Sequence, residues 1–185
     1  MKKSLPILIF FFLLAGRLHT QQLTLDDPTY QIGDRGPAGG WIFYDKGNSS
    51  GGWRYLEAAP ADTEFKTHWG NASIQTGTDV GSGKDNTQRL AAELEQSGQL
   101  TAAAHRCTRL NINGFNDWFL PSRNELAWMY VNLKEKELGG FSGDWYLSSS
   151  QTSGSLWMQQ FSNGEQWGGS GWRTTPYSVR AVRQF

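Results

Sequence analysis

The side chains that could do covalent or metal chemistry are few and poorly spaced for it. Cys107 is the single cysteine, so the chain can neither close an internal disulfide nor offer a cysteine pair to zinc. It lies in TAAAHRCTRL, which reads as helical, and is expected to be a buried small hydrophobe. A reactive thiol would need an accessible, electropositive site. The histidines are His19, His68 and His105; His19 falls in an export-type segment, and the other two are not at ligand spacing. Asp26, Asp27 and Asp34 have oxygens that calcium could use, without the spaced loop of a calcium site. Ser148, Ser149 and Ser150 lie in a strand candidate with no G-x-S-x-G turn to expose a nucleophile. GSGKDNT, residues 81–87, fails as a phosphate loop. A Walker A motif needs Gly five positions before its Gly-Lys pair and Ser or Thr after the Lys, and these positions hold Thr78 and Asp85. No cofactor and no metal is expected.

Contact chemistry is concentrated instead near the C-terminus. Residues 165–177, EQWGGSGWRTTPY, have no apolar period. Tyr and Trp give large contact area at low entropy cost, Ser and Gly give adaptable polar contacts, and Arg is common at binding hot spots. Trp167, Trp172, Arg173, Thr174, Thr175 and Tyr177 fit that composition. Composition supports two readings equally: a contact surface with Arg173 as its polar anchor, or a linker in which Trp167 or Trp172 plugs the core. Just before it, alternation in SLWMQQFS puts Trp157, Gln159 and Phe161 on one face and Met158, Gln160 and Ser162 on the other. The Trp/Phe face is expected inside. In SVRAVRQF, Val179, Ala181 and Arg183 share a face opposite Arg180, Val182 and Gln184. Alternation does not choose between those faces, and Phe185 is expected to tuck back into the core.

The elements that would position these residues follow from period and punctuation. Trp41 to Tyr44 and Trp53 to Ala58 are short β-type runs around the turn DKGNSSGG, a hairpin entering the core. Residues 60–84 are irregular, with Trp69 as an anchor. NTQRLAAELEQSG is a helix with Leu90, Ala91 and Leu94 inward, an N-cap at Asp85 or Asn86, and Gly98 as its stop. LTAAAHRCTRL continues helical, and NGFNDWFLP is a turn and an aromatic plug. PSRNELAWMYVNLKEKELGG is the clearest helix: Ser122 with Glu125 forms a capping box, and Leu126, Met129, Tyr130 and Leu133 recur at helical spacing. WYLSSSQ, SLWMQQFS and SVRAVRQF are three strands separated by Gly-rich turns.

With 185 residues, 38% hydrophobic and 18% charged, the chain is one domain's worth of sequence. Zero formal net charge removes the basic footprint that nucleic acid or an anionic membrane requires. Nine Trp and 22 Gly favour a loop-rich α+β or β fold with rings filling a small core. Lys2 and Lys3 before LPILIFFFLLAG read as a secretory signal, too short for a span of about 20 apolar residues. The expected division is a signal at 1–22, a polar leader at 23–31 and a single domain at 32–185. No Cys follows the apolar run, and retention of the signal as an anchor is the alternative to its cleavage.

GPAGGWIFYDKG, GWRYLEAAP, NGFNDWFLPSRNEL, YLSSSQ, LWMQQF and VRAVRQF, in that order over roughly residues 32 to 185, resemble the bacterial Lcl C-terminal-domain family. Within it the chain is similar to the variable proteins of diversity-generating retroelements. The resemblance implies an α+β, C-type-lectin-like fold of the formylglycine-generating-enzyme type, with two main helices flanking a small twisted antiparallel sheet. It implies positions held fixed at Trp157, Gln159, Phe161, Gly164 and Gln166, and at Val179, Arg180, Val182, Arg183 and Phe185. The positions that vary would match Met158, Gln160, Ser162, Glu165, Trp167 and Ser170, then Trp172, Thr174, Thr175, Pro176 and Tyr177. It therefore favours the contact-surface reading. One cysteine is too few for formylglycine-generating chemistry, and the EPN and WND signatures of calcium-dependent sugar-binding lectins are absent.

The function expected is an exported, non-enzymatic binding module, in the periplasm, at the cell surface or outside the cell. Its partner would be a protein or surface glycan, with no nucleic acid and no membrane span after signal cleavage, and the chain would be a monomer or weak oligomer. One rival is a structural envelope protein that buries Trp167 and Trp172 against a permanent partner. The other is an enzyme with a pocket near Asp117, Arg123 or Glu125. Against that, Glu125 is expected to cap a helix and Asp117 to sit in a turn.

Overall fold

The structure, a computed structural model, describes residues 28–185. The signal segment and most of the polar leader lie outside the described residues. The described residues form an α+β fold, with three α-helices and two sheets.

The hairpin forms as the turn chemistry predicts. β1 (Trp41–Asp45) pairs antiparallel with β2 (Tyr55–Ala58). The far side of β2 takes the last strand of the chain, β8 (Val182–Gln184). The second sheet contains β3 (Phe65–Thr67), β4 (Trp145–Thr152), β5 (Ser155–Gln160), β6 (Gln166–Gly169) and β7 (Tyr177–Val179). Its order is β3-β7-β4-β5-β6, and β4 and β7 run parallel while the other neighbours are antiparallel.

Two expectations need correction. One antiparallel sheet was expected, and two are found, because SVRAVRQF is two strands rather than one. It breaks at Arg180 and Ala181, and its halves β7 and β8 belong to different sheets. A segment that crosses between sheets is covered on both sides. Every residue from Ser178 to Arg183 is accordingly buried, which is why alternation could not choose a face. The second correction is β6, a strand inside the stretch 165–177 that has no apolar period. Its Gly168 and Gly169 have the composition of a turn, and only pairing with β5 makes them extended.

Helix α1 (Gly83–Gln96) turns Leu90, Ala91 and Leu94 inward, and Gly98 follows it at φ 71°. It starts ahead of the expected Asp85 or Asn86. The reason is Glu125, whose carboxylate accepts the N–H of Gly81 at 2.8 Å and of Gly83 at 3.4 Å. A cap supplied from another helix is invisible to local sequence rules. Asn86 instead ties down the preceding loop through both main-chain groups of Gly77. α2 (Ala103–Cys107) is short and holds Cys107 fully buried; burial pushes its thiol well above the ordinary range. α3 (Arg123–Asn132) opens on the expected capping box of Ser122 and Glu125.

The core has two parts. One gathers Trp69, Leu90, Leu94, Trp118, Leu147 and Val179 around α1 and α2. The other gathers Phe43, Phe119, Leu126, Met129, Tyr146 and Phe161 around α3. Phe185 is half-buried and lies against Tyr30 and Tyr55, with ring centroids 5.6 Å away in each case. Asp117 does more than turn the chain. Its two oxygens take the Arg183 guanidinium at 2.9 and 3.0 Å, and Arg183 also reaches the buried Glu57 at 3.3 Å.

Candidate functional site

The strand register brings the C-terminal contact residues to one end of one sheet face. Residues directly opposite across neighbouring strands share a face. Trp145 lies opposite Gln160, and Leu147 opposite Met158. Met158 in turn lies opposite Trp167. The hydrogen bond from Gln160 N–H to Glu165 C=O, 2.8 Å, extends the ladder by one residue and puts Glu165 beside Gln160. β7 runs parallel to β4 with Ser178 opposite Tyr146, so Tyr177 shares the face of Trp145.

The loop from β6 to β7 crosses back over this face and brings Trp172 with it. Trp145, Met158, Trp167, Trp172 and Tyr177 together line a cavity of about 230 Å³. Trp167 and Trp172 are 47% and 38% exposed, so the cup opens to solvent. Gly169 stands behind both indoles. A Cβ there would lie 2.9 Å from Nε1 of Trp172 and 3.2 Å from Nε1 of Trp167. Gly169→Ala should therefore displace the two indoles, at a cost below the roughly 1–3 kcal/mol of overpacking a closed core, since both rings are open to solvent and can move outward. Indole N–H resonances read the displacement and urea denaturation reads the stability. Unmoved resonances would mean that the rings are not seated on Gly169.

Around the cup, Ser162, Glu165, Ser170, Thr174 and Thr175 are exposed and Gln160 is half-buried. Two of the named site residues sit differently from expectation. Met158 does face away from Trp157, but it is only 4% exposed, because the aromatic rings cover it. It is the floor of the cup. Arg173 is not a polar anchor offered to solvent. Its guanidinium turns inward, donating to Ala72 C=O at 2.8 Å and Gly154 C=O at 3.1 Å, and lies 5.1 Å from the Trp69 ring centre. Its own carbonyl accepts from Gly70 N–H at 3.0 Å. Arg173 staples the loop to the scaffold, and a composition rule that counts Arg as a contact residue cannot see that.

The opposite face is built differently. Trp157 is half-buried under the Arg123 guanidinium, 3.9 Å from its ring centre, and its N–H donates to Thr152 Oγ1 at 2.8 Å. Arg123 Nε donates to Gln166 Oε1 at 2.7 Å, and Gln166 Nε2 donates to Gln159 Oε1 at 3.2 Å. Gln159 Nε2 donates on to Gly164 C=O at 3.1 Å. This chain of bonds fixes β5 and β6 to α3. Trp157, Gln159 and Gln166 are thus held from below while Gln160, Glu165 and Trp167 stand above.

Sequence reasoning missed Trp145. It opens the run WYLSSSQ, and only the register with Gln160 places it beside the other rings; no local signal carries that register. Beside it, Lys66 and Asp144 form an ion pair at 2.7 Å. The Lys66 ammonium holds the Asp144 carboxyl below its usual range, and the carboxylate holds Lys66 above its own.

The residues considered for enzyme chemistry are engaged elsewhere. Arg123 binds Gln166 and Trp157, and Glu125 is buried as a cap for two helices. Asp117 lines a cavity of about 250 Å³ with Lys84, Asn116 and Trp118 but holds Arg183. Among the described residues no group of three or more His, Cys, Asp or Glu side chains could hold a metal ion, and no helix is long and apolar enough to cross a membrane. The sequence matches no protein-family model and no curated protein.

Proposed function

We propose that the chain is an exported, non-enzymatic recognition module. Its fold would be C-type-lectin-like, of the formylglycine-generating-enzyme type, and its binding surface would be the C-terminal face built on Met158, Gln160 and residues 165–177. The reading extends to the likeness with the variable proteins of diversity-generating retroelements in the Lcl C-terminal-domain family. It takes a protein or surface glycan as the ligand.

The observation that carries the proposal is the division of labour between neighbouring residues. Trp157, Gln159 and Gln166 are tied into the scaffold, while Gln160, Glu165 and Trp167, one position away from them, stand on the open face. Such a face can change its side chains without disturbing what holds the strands. Large half-exposed rings surrounded by short polar groups are also the composition of adaptable binding surfaces.

The experiment replaces Gln160, Ser162, Glu165, Ser170, Thr174 and Thr175 with Ala together and follows thermal unfolding and circular dichroism. The expected result is a native spectrum and a melting temperature within about 10 °C of the parent, since sites on the open face each shift stability by less than about 0.5 kcal/mol, at most about 3 kcal/mol over six. Gln159→Ala and Arg173→Ala serve as contrasts: the first should lose roughly 0.5–1.5 kcal/mol with its amide bonds, and the second roughly 1–3 kcal/mol with its charge-assisted bonds to the carbonyls of buried Ala72 and exposed Gly154. A six-fold variant that fails to fold would make the face a structural element. A tight native oligomer dispersed by Trp167→Ser with Trp172→Ser would favour the permanent-partner reading instead.

A further inference from the structure

The cup itself narrows the class of ligand. Its lining contains four aromatic rings, from Trp145, Trp167, Trp172 and Tyr177, with the Met158 thioether as a floor. The face of an aromatic ring carries negative electrostatic potential, so rings that turn their faces to one space favour a cation in it. A flat apolar platform would instead suit a sugar face. This site is a concavity of about 230 Å³, large enough for a trimethylammonium group but too small for a sugar chain.

Charge around the cup points the same way. No Lys, Arg or His lines it. The two cations near it are occupied: Lys66 by Asp144 at 2.7 Å, and Arg173 by Ala72 and Gly154 carbonyls on the inward side. The rim has a carboxylate with no such partner. Glu165 is exposed, lies opposite Gln160 and so on the face of Met158 and Trp167, and makes no ion pair among the described residues. Aromatic walls, a carboxylate with no ion-pair partner among the described residues and no cation in the lining are complementary to a positive charge too poorly hydrated to resist burial.

A second copy of the chain is a poorer occupant. A stable interface buries about 800 Å² on each partner. A whole aromatic side chain presents only 150–250 Å², and the two most exposed rings here show less than half of theirs.

We propose that this cup binds a quaternary ammonium group, the trimethylammonium head of a choline-type ligand, with Trp145, Trp167, Trp172 and Tyr177 as its walls and Glu165 as the rim counter-charge. The inference rests on the recognition-face reading above, and names a ligand class for the surface in the form this chain carries it.

The test titrates the protein with choline chloride and, in parallel, with 3,3-dimethyl-1-butanol, which has the same shape and no charge. Binding is followed by the indole N–H resonances and by calorimetry. Choline should shift the Trp145, Trp167 and Trp172 resonances and bind about tenfold or more tightly than the neutral alcohol. Trp167→Ala should weaken choline binding about tenfold. Glu165→Gln should weaken it about threefold at low salt and less at high salt, as expected for an exposed counter-charge. Equal binding of choline and the alcohol would overturn the inference and leave an uncharged apolar pocket. No binding of either would overturn it too. Neither result touches the recognition-face reading, whose own test is whether the exposed residues are dispensable for folding, and that requires no ligand.

Discussion

Arg180→Met should cost about 3–5 kcal/mol of folding stability, the range for removing one partner of a buried ion pair. Arg180 is 1% exposed at the point where the chain leaves one sheet for the other. Its guanidinium gives Nε and one terminal nitrogen to Glu64 Oε2, at 3.1 and 2.7 Å. The other terminal nitrogen reaches the carbonyls of Ala59 at 3.2 Å and Gly139 at 2.8 Å. Methionine fills the volume and abandons all of these acceptors. Among the described residues Glu64 then retains only the Tyr146 hydroxyl, at 2.9 Å, and its side chain is 19% exposed. Adding Glu64→Leu removes the uncompensated carboxylate and should recover part of the loss, but not all of it, because the two carbonyls stay unpaired. Urea denaturation measures both variants. A loss below about 1 kcal/mol in the single variant would mean that water reaches these groups and that Arg180 does not hold the crossing.

Glu125 gives the second large effect, through pH. Burial raises its carboxyl from the ordinary 4.5 to about 7, against the opposing N–H donors of Ser122, Gly81 and Gly83. The folded protein therefore holds this proton more tightly than the unfolded chain does. Stability is fully present below about pH 4.5, falls as pH rises toward 7, and levels off above that. Each tenfold in proton affinity is about 1.4 kcal/mol, so the fall amounts to roughly 3 kcal/mol. Burial raises Glu57 as well, which adds a slope of the same sign. Glu125→Gln cannot titrate and should flatten most of the curve, leaving the Glu57 part. At pH 5 the parent carboxyl is itself protonated and its O–H meets the same main-chain donors as the amide NH₂, so the two proteins should differ there by no more than about 1–3 kcal/mol. The check is the urea midpoint of both proteins from pH 4.5 to 8. A parent protein that grows more stable over this range would reverse the sign and show that the helix N-termini outweigh burial.

Local rules found what local physics decides. The capping box at Ser122 and Glu125, the inward face of α1 and the hairpin turn depend on neighbours within a turn or two of sequence. What the sequence did not show depends on register between distant strands. Trp145 joins the cup through its pairing with Gln160. β6 exists because β5 is beside it. Arg173 looks like a contact residue until the carbonyls of Ala72 and Gly154 are placed next to it. Asp117 looks like a turn residue until Arg183 arrives from the end of the chain. Alternation in β5 put Met158 and Trp157 on opposite faces, but the Trp157 face is not the more buried one there: Trp157 is half-buried, while Leu156 is fully buried and Met158 is covered by other rings. The C-type-lectin-like fold and the likeness to retroelement variable proteins stay inferences from motif order, since α+β architecture alone is shared by many folds.

The central claim is that the C-terminal face is a replaceable recognition surface on a fixed scaffold. The most direct measurement is DNA sequencing of the codons for residues 157–185, with the neighbouring DNA, across many isolates. The account predicts substitutions concentrated at the codons for Met158, Gln160, Ser162, Glu165, Trp167, Ser170, Trp172, Thr174, Thr175 and Tyr177. It predicts constancy at Trp157, Gln159, Gln166, Arg173 and Arg180, and a near-copy of the segment close to the gene. Codons of the exposed face no more variable than those of α3 would contradict it.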